Sequence, residues 1–160
     1  HTTIRDGKEI PLVKIKGAPV TFDLEKMKKA VKKILSGDIC GWPLYDRHRH
    51  NPSEDAIKVE KDIVILEGNY LLLNEEGWDE LSNLADLTVM IRADLKMIKD
   101  RLIKRRIASG HPEEDAEEFV EYSDMYNARL VLEHSGEADL TLFIRADGSY
   151  EVYEDKANVL

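Results

Sequence analysis

The chain has 160 residues, 42% of them hydrophobic and 34% charged, with a formal net charge of −9 at neutral pH. That is one domain's worth of chain with a core of its own, folded rather than disordered, and its acidity disfavours nonspecific binding to nucleic acid or to an anionic membrane. A single cysteine, Cys40, excludes an intrachain disulfide and fits a reduced cytoplasmic setting, and no apolar run reaches membrane-spanning length.

In chain order, the opening HTTIRDG has no Met and resembles neither a tag nor a targeting segment, so His1 is not expected to be the natural beginning. The first clear element is a helix in FDLEKMKKAVKKILSG. Asp23 caps it, Glu25 suits its positive end, and Leu24, Met27, Val31, Ile34 and Leu35 form one apolar stripe. Phe22 and Met27 have the spacing of a hydrophobic staple, and Gly37 ends the helix. Its lysines, Lys26, Lys28, Lys29, Lys32 and Lys33, read as a solvated face in preference to a phosphate-binding surface. The following DICGWPLYDRHRHNPSED has turn residues and no period, which predicts a long loop.

Strands are predicted at Ile63 to Leu66, Leu87 to Ile91 and Leu140 to Ile144, with YEVY as a short edge strand. A short helical stretch around Trp78, Leu81 and Leu84 lies between the first two. Helices from about Asp94 to Ala108 and about Pro112 to His134 lie between the second and third. Strands alternating with helices imply an α/β fold with parallel pairing. One echo stands out: ADLTVMIRAD, from Ala85, and ADLTLFIRAD, from Ala138, are identical at eight of ten positions. Nothing around them repeats, so both are read as Asp-led starts of buried parallel strands.

Three places carry residues suited to chemistry. The run IVILEGNYLLL puts Glu67, Gly68 and Asn69 where a buried strand would end, and ligands of open parallel sheets bind beyond such ends. An ordinary strand-to-loop transition with a solvated Glu is the competing reading. In DRLIKRRIASG, Arg101 and Arg105 are one helical turn apart and Lys104 and Arg106 adjoin them, a set suited to polyphosphate. The same residues also suit a helix C-terminus and could pair with Glu113, Glu114, Asp115, Glu117 and Glu118. Gly110 before Pro112 marks either a lid hinge or a plain corner. In WPLYDRHRH, Asp46 can take substrate hydroxyls, Tyr45 or His50 can stack or hydrogen-bond, and Arg47 can hold an anionic group. His48 and His50 make a poor zinc pair without further ligands, and neither CxxC nor HExxH occurs.

Taken together, GAPVTFDLEKMKKAVKKILSG, WPLYDRHRH, IVILEGNYLLL and DRLIKRRIASG resemble, in order and spacing, the uridine kinase, phosphoribulokinase and pantothenate kinase group of P-loop small-molecule kinases. The resemblance covers roughly residues 17–144 and is nearest to uridine-kinase-like proteins with a G-A-P-x-T-F-D segment. It implies a three-layer α/β fold with a mostly parallel sheet and a helical lid around residues 101–130, using ATP and Mg²⁺ to phosphorylate a small-molecule acceptor. Glu67 would then lie near Mg²⁺ and its waters, Tyr45, Asp46 and His50 at the acceptor, and Arg101 and Arg105 at the phosphates; Arg47, read from its own chemistry, joins the acceptor set and Arg106, read from the basic cluster, the nucleotide set. Gly17 and Ala18 stand where uridine kinases usually carry D-H, and Pro52 where an Arg often follows the His, so uridine is a poor fit as acceptor. No G-x-x-x-x-G-K-S/T occurs, although its backbone amides and Lys hold the phosphates in this group. The chain is therefore expected to be the C-terminal part of a single kinase domain, with a gap between its strands where the phosphate-loop strand belongs. The expected partners are the acceptor, the N-terminal portion of the kinase and a second copy in a homodimer, with no nucleic acid and no membrane. Two other readings are a noncatalytic module derived from such a kinase and a nucleic-acid binder using the lysine face. The acidity opposes the latter.

Overall fold

The computed structural model describes residues 2–5, 7–15, 17–46, 51–75 and 77–153. Strands β1 (Thr2–Arg5) and β2 (Lys8–Pro11) pair antiparallel around Gly7, whose φ of 73° is open to glycine. A 3₁₀ turn, Leu12–Ile15, follows, and Ile10, Ile15 and Ala18 pack together with Leu12. The G-A-P-x-T-F-D segment then closes on itself. The Gly17 N–H donates to Thr21 Oγ1 at 3.1 Å, and the Thr21 hydroxyl donates to the Ala18 carbonyl at 2.7 Å. Asp23 caps helix α1 (Leu24–Leu35) by accepting from the Lys26 N–H at 3.0 Å.

Among the described residues, carboxylates engage three of the five lysines of α1: Lys26 pairs with Glu54, Lys28 with Glu25 and Glu80, and Lys32 with Glu80. Lys28 departs from the solvated face expected of it. It is buried, with Nζ at 2.6 Å from Glu25 and 3.0 Å from Glu80.

The long loop expected after α1 is instead an antiparallel hairpin of β3 (Cys40–Asp46) and β4 (Asn51–Val59). Its register shifts between Trp42 and Leu44, at Pro43, where a residue without an N–H interrupts the ladder and erases the period-two signal. A second correction concerns Ile63 to Leu66. This run belongs to no ladder among the described residues, and its side chains are exposed. Four adjacent apolar residues indicate that a segment is suited to burial, whereas a central strand also needs a neighbour on each edge.

The main core lies just beyond. Tyr70, Leu73, Trp78 and Leu81 are buried together against Leu24, Met27 and Val31 of α1. The short helix α2 (Asp79–Ser82) contributes Leu81. Phe22, Tyr70 and Trp78 meet edge to face with ring centroids 5.6 to 5.9 Å apart, which fixes the start of α1 on this core.

The last sheet is ordered β5–β6–β7, from β5 (Val89–Ala93), β6 (Leu140–Ile144) and β7 (Tyr150–Val152). β5 and β6 are parallel with Val89 opposite Leu140, and β7 returns antiparallel at the edge as YEVY suggested. Among the described residues, parallel pairing is confined to β5 and β6, and the other pairs are antiparallel. Between these two strands run α3 (Leu95–Ala108), α4 (Glu113–Phe119), a π turn (Val120–Asp124) and α5 (Met125–His134). The helix expected from Pro112 to His134 is thus continuous but widened by one underwound π turn, with Val120, Ser123 and Met125 buried. No helix among the described residues is long and apolar enough to cross a membrane.

Candidate functional site

The carboxyl ends of β5 and β6 lie side by side, with Ala93 opposite Ile144. From the first, Asp94 starts α3 by accepting from the Met97 N–H at 3.1 Å. From the second, Arg145 enters a tight turn closed by Arg145 N–H to Ser149 O at 2.9 Å and Gly148 N–H to Arg145 O at 3.0 Å. Arg145 pairs with Glu151. This is the end of a parallel pair at which α/β folds place ligands.

Helix α3 carries the predicted arginines away from that end. Arg101 and Arg105 are exposed, and among the described residues neither makes an ion pair. The acidic run of α4 does not neutralise them, which removes the pairing alternative for Glu113, Glu114, Asp115, Glu117 and Glu118 within the described residues. Arg106 is placed differently from its neighbours. Its guanidinium lies 3.6 Å from the centroid of the Phe119 ring and its Nε is buried without a hydrogen-bond partner, so it ties α3 to α4.

Facing these arginines is a carboxylate that the sequence did not single out. Asp124 ends the π turn and is partly buried, and burial pushes its carboxyl above the usual range while the positive charges of Arg105 and Arg106 pull it down. Its charge also reaches Tyr70, whose phenol is pushed up to about 12, chiefly by burial. The Tyr70 hydroxyl donates to the Gly17 carbonyl at 2.6 Å. One chain of contacts and charges therefore joins the G-A-P segment, the residue just beyond Glu67-Gly68-Asn69, the π turn and the arginines of α3. Ser123 Oγ and Asn127 Oδ1, beside Asp124 in sequence, are buried with no partner among the described residues. Glu121 completes the frame, bridging Lys99 of α3 at 2.7 Å and Arg129 of α5 at 2.9 Å. Those two charges hold its carboxyl down at about 2.

Glu67 lies before the turn that contains Tyr70, exposed and without an ion pair among the described residues. A Cβ on Gly68 would come within 3.2 Å of the Leu71 side chain, so a glycine keeps this turn close. No group of three or more metal-ligating side chains occurs among the described residues. One free carboxylate nevertheless fits Mg²⁺, which is commonly held by one or two carboxylates together with substrate phosphates and waters.

The predicted acceptor residues are only partly placed. Tyr45 is in β3, about half exposed, and Asp46 ends that strand, with its backbone alone described. Arg47 and His50 lie outside the described residues. The hairpin thus presents Tyr45 and Asp46 at its tip rather than on an irregular loop.

No protein-family model matches the chain. It is 42% identical over 135 residues to the uncharacterized protein YggC of Escherichia coli, covering 84% of this chain and 56% of YggC. It is 27% identical over 150 residues to a uridine kinase of Halalkalibacterium halodurans, covering 87% of this chain and 70% of that enzyme. Among solved structures, a protein of Silicibacter sp. TM1040 provisionally named a fructose transport system kinase superposes with a TM-score of 0.78 and 31% identity, over 81% of this chain and 64% of that one. The chain spans a little over half the length, 56% and 57%, of its first two curated relatives. In sequence and in fold, this chain is a relative of the uridine-kinase-like P-loop kinases.

Proposed function

We propose that the chain is the acceptor- and lid-bearing part of an ATP-dependent kinase that phosphorylates a hydroxyl of a small metabolite, a sugar, nucleoside or related compound. The observation that carries this reading is the arginine face of α3. Among the described residues, Arg101 and Arg105 make no ion pair beside a strongly acidic helix, as groups kept for a polyphosphate would. The kinase relatives support the reaction class, and a relative named for fructose supports a polyol acceptor.

In this reading the fold is three-layered, residues 101–130 form the lid, and the N-terminal portion of the kinase brings the phosphate loop. The acceptor's hydroxyl oxygen bonds to the γ-phosphorus as the bond to the β–γ bridging oxygen breaks. ADP leaves and the hydroxyl proton passes to a carboxylate base. Arg101 and Arg105 offset charge on the transferring group, while Tyr45, Asp46, Arg47 and His50 orient the acceptor. Glu67 would hold Mg²⁺, directly or through water, and the ion supplies neutralisation of phosphate charge when bound. Arg106, pinned on Phe119, positions the lid rather than the phosphates.

The test is ADP release by the kinase with its N-terminal portion present, against a panel of sugars and nucleosides. Acceptor-dependent ADP formation that weakens in Asp46→Ala, with ATP affinity retained, is expected. Nucleotide or metabolite binding without turnover for any acceptor would instead favour a noncatalytic module.

A further inference from the structure

The hairpin of β3 and β4 is not a regular ladder, and its irregularity falls between an anchored base and a tip that bears Tyr45 and Asp46. At the base, Cys40, Gly41 and Trp42 pair with Val59, Lys58 and Ile57, and Cys40 is buried against α1 with its Sγ 3.7 Å from the Ala30 carbonyl. At the tip, Leu44, Tyr45 and Asp46 pair with Ser53, Pro52 and Asn51. An unbroken ladder continued from Trp42 and Ile57 would put Leu44 opposite Asp55. Leu44 is opposite Ser53 instead, so β4 carries two residues more than β3, and Glu54, Asp55 and Ala56 lie across from Pro43 alone. Because the excess is even, the alternation of faces along β4 is preserved and only the direction of the strand pair changes.

The local chemistry is fitted to this bend. Asp55 has a φ of 52°, and among the described residues no other non-glycine residue has a positive φ. Aspartate enters that left-handed region at modest cost, whereas a β-branched residue does not. Gly41 lies directly against it: a Cβ there would come within 2.7 Å of the Asp55 Cα and overlap the Asp55 side chain. A glycine in β3 and an aspartate in β4 thus let the two backbones close at the bend. Glu54, the first residue of the bulge, pairs with Lys26 in the first turn of α1. Both side chains are about half exposed, so the pair adds a small bias toward this geometry.

We propose that this bulge is the elbow that aims the acceptor-binding tip, with Gly41 and Asp55 as its positioning residues. It sets the angle at which Tyr45 and Asp46 meet the acceptor, and so which sugar or nucleoside is used. The inference rests on the functional reading above. Gly41 and Asp55 touch no reacting atom and act through the direction of the tip. A misplacement of about 1 Å is enough to cost much of the acceptor's rate constant, because its hydroxyls are recognised by hydrogen bonds of defined length. The nucleotide, held in this reading by the arginines of α3, is left unaffected.

The test uses the kinase with its N-terminal portion and the best sugar or nucleoside of the acceptor panel. Deleting Glu54 and Asp55 makes the ladder continuous without exchanging its faces. It should lower kcat/KM for the acceptor by at least about 30-fold while KM for ATP stays within about 3-fold. At single positions, Asp55→Val, strained in a left-handed backbone, should lower the acceptor constant by at least about 10-fold. Asp55→Asn and Asp55→Gly, which fit that backbone, should leave it within about 3-fold. These point variants decide the matter where the deletion does not fold. An unchanged acceptor constant in the folded deletion, equal constants in Asp55→Val and Asp55→Asn, or an equal loss for acceptor and ATP would each overturn the elbow. Any of these results in a parent that turns over sinks the elbow alone. A parent that turns over no acceptor sinks the kinase reading, and the elbow with it.

Discussion

The segment Tyr70 to Leu81 and the run Ile63 to Leu66 are near neighbours of similar apolarity, yet Leu73 is 0% and Trp78 5% exposed, against 84% for Ile63 and 91% for Ile65. The difference lies in what each meets. The first finds the apolar stripe of α1 and the aromatic edge of Phe22 within its own chain. The second has the composition of a buried strand, and a strand buries both faces only when ladders flank it. Hydrophobicity therefore marks where burial belongs, while the neighbours decide whether it happens.

The strongest way to break this comparison is Trp78→Ala, which empties the packed side. It is expected to cost about 3–5 kcal/mol in urea unfolding, since cavity formation adds to the lost transfer energy. A loss below about 1 kcal/mol would mean that the core is elsewhere.

Tyr70→Phe probes the polar tie of the same region, the hydroxyl held on Gly17 at 2.6 Å, and should cost about 1 kcal/mol at neutral pH. It should also change the alkaline limb of stability. The folded phenol is raised from 10.0 to about 12, so its contribution is complete below pH 10 and is lost as pH climbs toward 12. Thermal melts across that range should fall less steeply in Tyr70→Phe than in the parent. Parallel curves would remove Tyr70 from the alkaline transition.

Asp23→Ala removes the cap at the start of α1 and should cost about 1 kcal/mol, read by helical content and melting temperature. On the exposed side, Ile65→Ser should shift the stability of the 160-residue chain by no more than about 0.5 kcal/mol. On the reading that an N-terminal portion flanks and buries the run, the same change in the longer protein is expected to cost at least about 2 kcal/mol. Equal small effects in both proteins would show that Ile65 is never covered.

The elements with strong periodicity and caps were legible in the sequence. Asp23 caps α1 by the bond its spacing suggests, α3 starts at Asp94 as expected, and β6 spans Leu140–Ile144 as expected. The hairpin at Cys40–Val59 was hidden because Pro43 and the register shift beside it break the alternation by which strands are recognised. In the candidate site, Arg101 and Arg105 could be read from one-turn spacing. Arg106 could not be separated from them, because its partner Phe119 lies across the α3–α4 corner. Asp124 stood among several acidic residues, and only the π turn sets it against the arginines.

The function itself is tested most directly at Glu67, where the smallest effect on stability is expected. In the kinase carrying its N-terminal portion, Glu67→Gln should leave the melting temperature within about 1 °C, because the carboxylate is exposed and makes no ion pair among the described residues. Its kcat for acceptor-dependent ADP release should fall by at least about 100-fold, because the lost charge acts on the metal and the transferring phosphate. Full turnover in a normally folded Glu67→Gln protein would contradict the account.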